Sequence, residues 1–132
     1  MKRILLDTNF YAAFKRNDPS STGLLRRATF IGINAIVLGE ILSGFRLGTK
    51  ETQNRKELEL FLNSPRVRTL PVDEETAEFY AKIFQDLKNK GMPIPVNDMW
   101  IAASAMQHGL FLATYDDHFR HVDGILTFSF GR

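Results

Sequence analysis

The sequence contains no cysteine, which excludes a disulfide framework and any metal site built on thiolates. This usage suits a cytoplasmic protein, and we expect that location. No uninterrupted apolar stretch approaches the roughly 18 residues that a bilayer span requires, so we expect no membrane segment. The basic start at residues 2–3 does not predict a signal peptide, because Asp7 interrupts the apolar run that follows too early.

A strong excess of one charge is also missing. The 17 basic and 15 acidic residues leave a net charge of +2, which says little about partners. Basic pairs recur at 15–16, 26–27, 55–56 and 66/68, where a shared face would attract phosphate groups; solvated surfaces explain any one pair equally well. No linker, repeat or low-complexity segment divides the 132 residues, so we expect one domain over residues 1–132.

Short apolar runs alternate with longer helical patterns, which predicts an α/β fold. The strands are expected at 4–6, 29–33, 67–70 and 110–113, with a weaker candidate at 125–128. The helices are expected over 8–15, 19–28, 35–45, 49–63, 74–90 and 98–108, with Asp18, Asn34, Asp73 and Asn97 as N-terminal caps. The alternation implies a central parallel sheet of about four or five strands with helices on both faces.

Four acids occupy apolar surroundings where an unpaired charge is unfavourable. Asp7 closes the first apolar run, Glu40 is the only charge between residues 30 and 45, Asp98 opens an apolar helix, and Asp116 follows the fourth strand almost at once. A buried carboxylate costs several kcal/mol unless it is compensated. Since no basic partner stands near these acids in sequence, a bound cation is indicated.

Strand order sends three of these acids to one place. Ligands in open α/β sheets bind beyond the carboxyl ends of the strands. Asp7 directly follows the first strand, Asp116 lies just beyond the fourth, and Glu40 lies about two turns into the helix after the second. Strand order does not place Asp98. Oxygen ligands without cysteine or clustered histidine favour Mg²⁺ or Mn²⁺. Such an ion activates water and stabilises charge on phosphoryl oxygens, so hydrolysis of a phosphoester is the expected reaction.

Four segments resemble the signatures of PIN domains, in the order and spacing of the VapC toxin ribonucleases. They are Leu5–Asn9 (LLDTN), Gly39–Ile41 (GEI), Pro93–Ala103 (PIPVNDMWIAA) and Thr114–Phe119 (TYDDHF). The resemblance covers nearly the whole chain. It implies a PIN-like three-layer fold, a single PIN domain, and a Mg²⁺ site, with Mn²⁺ as a substitute.

The resemblance also assigns residues and partners. The implied metal-binding and catalytic acids are Asp7, Glu40, Asp98 and Asp116, and the implied supporting residues are Thr8, Asn9, Thr114 and Asp117. Asp117 stands beside Asp116, so either could be the fourth acid. The implied activity is endonucleolytic cleavage of tRNA or rRNA. The implied partners are a VapB-like antitoxin and a second copy of the chain, as a homodimer or as part of a toxin–antitoxin hetero-oligomer.

Other interpretations remain open at this point. Asp7 and Asp98 could simply cap helices, and His118 and His121 are better explained as surface residues than as zinc ligands. Phe10, Tyr11 and Phe14 cannot all face one core, so one of them could line a groove for an antitoxin segment. Two further functions fit an acid after the first strand: a non-catalytic RNA-binding module and an aspartyl phosphotransfer protein. Asn9 argues against the second, since phosphatases of that kind need an acid there.

Overall fold

The computed structural model describes residues 2–129. Its strands are β1 (Lys2–Leu6), β2 (Ala28–Asn34), β3 (Val67–Leu70), β4 (Phe111–Thr114) and β5 (Thr127–Ser129). Its α-helices are α1 (Thr8–Lys15), α2 (Pro19–Arg27), α3 (Ala35–Leu47), α4 (Glu51–Leu62), α5 (Glu74–Lys90) and α6 (Val96–His108), and a 3₁₀ helix covers Asp117–His121. No helix in this part of the chain has the length and apolarity to cross a membrane.

The strands form one parallel sheet in the order β3-β2-β1-β4-β5. The helices pack around the sheet, with α1 on α2 and α3, α3 on α4 and α6, and α5 on α6. The predicted α/β architecture with a central parallel sheet is therefore confirmed. Ile4, Leu5 and Leu6 of the middle strand β1 are fully buried, because a strand covered on both faces needs apolar side chains at every position.

The helix boundaries follow local capping signals at most positions. The side chains of Asp18, Asn34 and Asp73 each accept a hydrogen bond from a main-chain N–H three residues on, as a cap does. Gly91 ends α5 with φ at +67°, a left-handed conformation that glycine adopts without steric strain.

Two local predictions were wrong in detail, and one element was not predicted. Asn97 does not cap α6: the helix begins at Val96, two residues earlier than expected, with Pro95 in the capping position and no side-chain hydrogen bond there. The pyrrolidine ring of Pro95 already fixes the backbone for a helix entry, which frees the Asn97 amide. The last strand begins two residues later than expected, and the 3₁₀ helix at Asp117–His121 was not predicted.

The sheet has its switch point between β1 and β4. From β1 the chain moves outward through β2 to β3, and it then returns to the other side of β1 with β4. At such a point the connections leave in opposite directions, which opens a crevice at the carboxyl ends of the two strands. Leu6 pairs with Ala113 at this end, so the residues that follow these strands share the crevice.

Candidate metal centre

Asp7 forms the floor of the crevice at the switch point. Its main-chain N–H donates to the Ala113 carbonyl of β4 at 3.3 Å, and the residue is 5 % exposed. One carboxylate oxygen accepts a hydrogen bond from the main-chain N–H of Phe10 at 2.8 Å, so Asp7 also caps α1. The other oxygen accepts a hydrogen bond from the Thr114 hydroxyl. The Asp7 side chain therefore caps α1 and at the same time belongs to the buried cluster of acids.

The environment of Asp7 opposes its charge. The pKa of Asp7 is raised from an ordinary 3.8 to about 6, mainly by burial and also by the negative charges of Asp98 and Asp116. The hydrogen bonds from Thr114 and Phe10 lower the pKa and only partly offset this rise. A cation bound beside Asp7 would favour its ionised form and reverse the effect.

Asp98 and Asp116 form the open side of the cluster, together with His118. Asp98 lies in the first turn of α6, and Asp116 caps the 3₁₀ helix by accepting from the main-chain N–H of His118 at 3.1 Å. The His118 Nδ1 atom lies 3.2 Å from Asp98 Oδ2 and 3.1 Å from Asp116 Oδ1. Burial raises the pKa of Asp98, the hydrogen bond from His118 lowers it, and the charges of Asp116 and Glu40 raise it.

Glu40 joins the cluster from α3, where it is half-buried. One of its oxygens accepts a hydrogen bond from the Thr8 hydroxyl. The other accepts from the Asn97 side-chain amide at 3.1 Å. Because Thr8 begins α1 and Asn97 lies in the first turn of α6, both helices contribute to holding the glutamate in place.

The structure brings all four predicted acids to one edge of the sheet. Two of the predicted supporting residues, Thr8 and Thr114, donate hydrogen bonds directly to these acids. Asn9 and Asp117 are exposed, at the starts of α1 and of the 3₁₀ helix. Of the two neighbouring aspartates, Asp116 is the one whose carboxylate lies beside Asp98 and His118.

Sequence reasoning missed the contacts of His118 and Asn97 with the acids. His118 lies at the surface, as interpreted, and its ring also contacts Asp98 and Asp116. The signal was present as Asp-x-His in the fourth motif, because a capping acid and the residue two positions on share one turn. Asn97 was interpreted as a cap, and its bond to Glu40 spans 57 positions, which no local pattern reveals.

The prediction that the aromatic residues of α1 cannot all face one core was wrong. Phe10 and Tyr11 are buried in the core and Phe14 packs against it. Tyr11 also lines a groove of about 490 Å³ between α1, α3 and α4, which Thr8 and Glu40 line as well. This groove therefore opens next to the acids.

The residues present fit a divalent cation. Carboxylate oxygens predominate, as Mg²⁺ and Mn²⁺ prefer. Over residues 2–129 no lysine or arginine forms an ion pair with any of the four acids. Atoms of Asp98, Asp116 and His118 lie within 4.8 Å of one another, a spacing that a single ion can span.

The hydroxyl of Thr114 connects two of the acids, and we expect Thr114→Val to disturb both. The group is 1 % exposed, donates to Asp7, and accepts from the Asp116 main-chain N–H at 2.8 Å. Loss of both bonds should lower the free energy of unfolding by about 1–3 kcal/mol and raise the pKa of Asp7 further. Urea denaturation measures the first effect.

Thr29→Val is a matched control for this experiment. Thr29 is also a strand residue, but its hydroxyl donates to the Lys2 carbonyl at an exposed position, so the expected change is below about 0.5 kcal/mol. Equal destabilisation by the two substitutions would show that the Thr114 bonds do not hold the cluster together.

Comparison with known proteins agrees with this geometry. Residues 4–125 match the family model described as the PIN domain. The chain is 32% identical to Ribonuclease VapC2 of Rickettsia felis, over 83% of this chain and 84% of the relative. It is 34% identical to Toxin FitB of Neisseria gonorrhoeae, over 86% of this chain and 87% of the relative.

A solved structure shows the same arrangement of elements. The DNA-bound VapBC complex from Salmonella typhimurium contains a chain that superposes with a TM-score of 0.86 at 26% identity, covering 98% of each chain. The chain belongs to the PIN-domain family, in its group of VapC ribonucleases. The resemblance inferred from the four motifs is thereby confirmed.

Proposed function

We propose that this protein is a divalent-metal-dependent endoribonuclease and the toxin of a toxin–antitoxin pair. The observation that carries the proposal is the meeting of Asp7, Glu40, Asp98 and Asp116 at the switch point of the sheet. Buried, mutually repelling carboxylates of this kind are stable when a cation neutralises them. The names of the relatives, which are ribonucleases and a toxin, support the same conclusion.

The four acids divide between two tasks in this proposal. A bound Mg²⁺ or Mn²⁺ would supply an activated water and stabilise charge on the phosphoryl oxygens. Asp7, Asp98 and Asp116 would hold the ion, and Glu40, fixed by Thr8 and Asn97, would orient the water. In the reaction the water oxygen bonds to phosphorus, the bond to the 3′ oxygen breaks, and that oxygen leaves with a proton. The products are a 5′-phosphate and a 3′-hydroxyl.

The residue at position 9 disfavours the phosphotransfer alternative. A phosphatase of that kind needs a second acid two residues after Asp7, and this chain has Asn9 there. The RNA-binding module without catalysis is disfavoured by the cluster itself, since an inactive module has no need of carboxylates that destabilise it.

The proposed partners are RNA, a VapB-like antitoxin and a second copy of the chain. Several structural relatives are toxin–antitoxin complexes, which supports the antitoxin. The groove beside Thr8 and Glu40 offers it an apolar wall of Tyr11, Ile41 and Phe45, and an occupant there would cover the acids. Exposed apolar side chains at Phe84, Met92 and Val96 are suited to a homodimer contact. A cytoplasmic location, where RNA and antitoxin are present, completes the proposal.

Mapping of RNA ends tests the activity. We expect the purified protein with Mg²⁺ or Mn²⁺ to cut within RNA chains and leave 5′-phosphate ends, and total-RNA sequencing after induction should show the same ends. Asp98→Asn should reduce cleavage by about 10³-fold, because it removes one charge that holds the ion.

Asp86→Asn provides the control for this substitution. Asp86 is a helix-surface acid paired with Lys82, it lies outside all four motifs, and its variant should cut RNA like the wild type. A 2′,3′-cyclic phosphate product would contradict the mechanism, since that product requires attack by the RNA's own 2′-hydroxyl.

A further inference from the structure

This inference concerns His118, whose ring nitrogen lies beside two of the four acids. Its Nδ1 atom faces two carboxylate oxygens at once, Asp98 Oδ2 at 3.2 Å and Asp116 Oδ1 at 3.1 Å. A neutral imidazole nitrogen carries at most one proton, which can form one good hydrogen bond but not two. An ion placed among the three atoms would satisfy all of them together.

The separations of these atoms are compatible with one shared ion. The two separations from Nδ1 are 3.1 and 3.2 Å, and all three donor atoms lie within 4.8 Å of one another. Two ligands bound side by side about 2.1 Å from an ion are about 3.0 Å apart, so the ring nitrogen lies at such a distance from each of the two carboxylates.

Burial and anchoring suit His118 to such a role. Its side chain is 48% exposed, beside Asp98 at 19% and Asp116 at 27%, so ions reach the ring from solvent. The next residue, Phe119, is 1% exposed in the core and fixes the 3₁₀ helix. The ring is therefore held next to the acids and is still accessible.

We propose that His118 Nδ1 is a ligand of the ion held by Asp98 and Asp116, and that it shifts the preference of the site towards Mn²⁺ over Mg²⁺. An imidazole nitrogen is a softer donor than a carboxylate oxygen, and it binds transition metals better than Mg²⁺. Removal of the ring should weaken Mn²⁺ binding more than Mg²⁺ binding. This role rests on the proposed function, because it presupposes the metal centre.

Spectroscopy of Mn²⁺ added to the purified full chain tests this directly, without RNA. Electron spin-echo envelope modulation detects a nitrogen atom bonded to Mn²⁺. We expect nitrogen modulation in the wild type and in His121→Ala, and none in His118→Ala. His121 is the matched control, since it ends the same 3₁₀ helix and contacts the rest of the protein through its carbonyl, which accepts from Lys90.

Calorimetric titration supplies the second readout. His118→Ala should weaken Mn²⁺ binding by about tenfold and Mg²⁺ binding by about twofold or less, and His121→Ala should change neither. If His118→Ala lost affinity for Mn²⁺ and Mg²⁺ equally, the preference for Mn²⁺ that we assign to His118 would be overturned. Absence of nitrogen modulation in the wild type, or its persistence in His118→Ala, would overturn the ligand role whatever the variants' stability.

Asp98→Asn separates this inference from the function on which it rests. If Mn²⁺ binding is lost in Asp98→Asn and the wild type shows no nitrogen modulation, the metal centre stands and only the role of His118 fails. If Asp98→Asn binds Mn²⁺ as tightly as the wild type, the acids are not the metal centre and both proposals fail.

Discussion

Asp7→Asn is expected to reduce RNA cleavage by about 10³-fold or more and yet to stabilise the metal-free protein. The activity falls because an amide cannot supply the charge that holds the ion, and such charge is worth several kcal/mol in the transition state. The fold should persist. The amide oxygen can still accept from the Phe10 N–H, its NH₂ can donate to the Thr114 oxygen, and asparagine is a good helix cap.

The stability gain follows from the pKa of Asp7. A rise from 3.8 to about 6 means that the ionised side chain destabilises the metal-free fold by about 3 kcal/mol above pH 6. Asparagine has no such penalty. In chelator at pH 7.5, urea denaturation should therefore give a larger free energy of unfolding for the variant than for the wild type.

The difference between the two proteins has a defined dependence on pH. A pKa that is higher in the folded state gives the wild type extra stability that is fully present below about pH 3.8 and is lost as the pH rises through about 6. The advantage of Asp7→Asn should therefore grow over this window and level off above it. A variant less stable than the wild type at pH 7.5, or a difference independent of pH, would contradict the burial argument.

Asp73→Asn provides a control in which the free energy of unfolding near neutral pH should change in the opposite direction. Asp73 is also a helix cap, but its hydrogen bonds from Thr76 lower its pKa. A lowered pKa gives the wild type stability that is present above the ordinary value near 3.8 and is lost as the pH falls through the folded-state pKa. This variant should be less stable than the wild type near neutral pH, and the deficit should shrink in acid.

Divalent metal is expected to have the second large effect, on both activity and thermal stability. Chelation should abolish cleavage, and either Mn²⁺ or Mg²⁺ should restore it. An ion that binds only the folded chain, at a concentration a hundred times its dissociation constant, adds about 2.7 kcal/mol. For a domain of this size that corresponds to a rise in Tm of roughly 10 °C.

Calorimetry with the Asp98→Asn variant identifies the source of that rise. The variant lacks one of the acids that would hold the ion, so its Tm should respond little to metal or to chelator. A wild-type Tm that is unaffected by millimolar Mn²⁺ and Mg²⁺ would contradict the proposed metal centre. An equal rise in both proteins would place the binding site elsewhere.

The fold was largely predictable because its signals are local. Each buried strand is a short apolar run, and caps such as Asp18 and Asp73 act within one turn. Asp7 could be placed for the same reason, since an acid directly after a buried strand lies at the edge of the sheet. Exact boundaries were less predictable: Pro95 could replace Asn97 as the cap because its ring fixes the backbone without a side-chain hydrogen bond.

The rest of the centre depends on contacts between distant segments. Strand order could not place Asp98, because it precedes β4 by a full helix and reaches the edge only through the packing of α6. The contacts of Asn97 with Glu40 and of His118 with Asp98 join positions 57 and 20 apart. Periodicity and capping rules describe single helices and strands, so they cannot predict contacts between residues this far apart in sequence.

The hydrogen bond between Thr114 and Asp7 has a consequence for how the protein is made. It joins residues 107 positions apart, and β4, which carries Thr114, inserts directly beside β1. A chain still emerging from the ribosome can complete neither the central sheet nor the cluster of acids until β4 has left the exit tunnel. Long-range parallel pairing of this kind is also intrinsically slow to form. We therefore expect a chain that cuts RNA to be inactive during its own translation, next to the RNA of the ribosome.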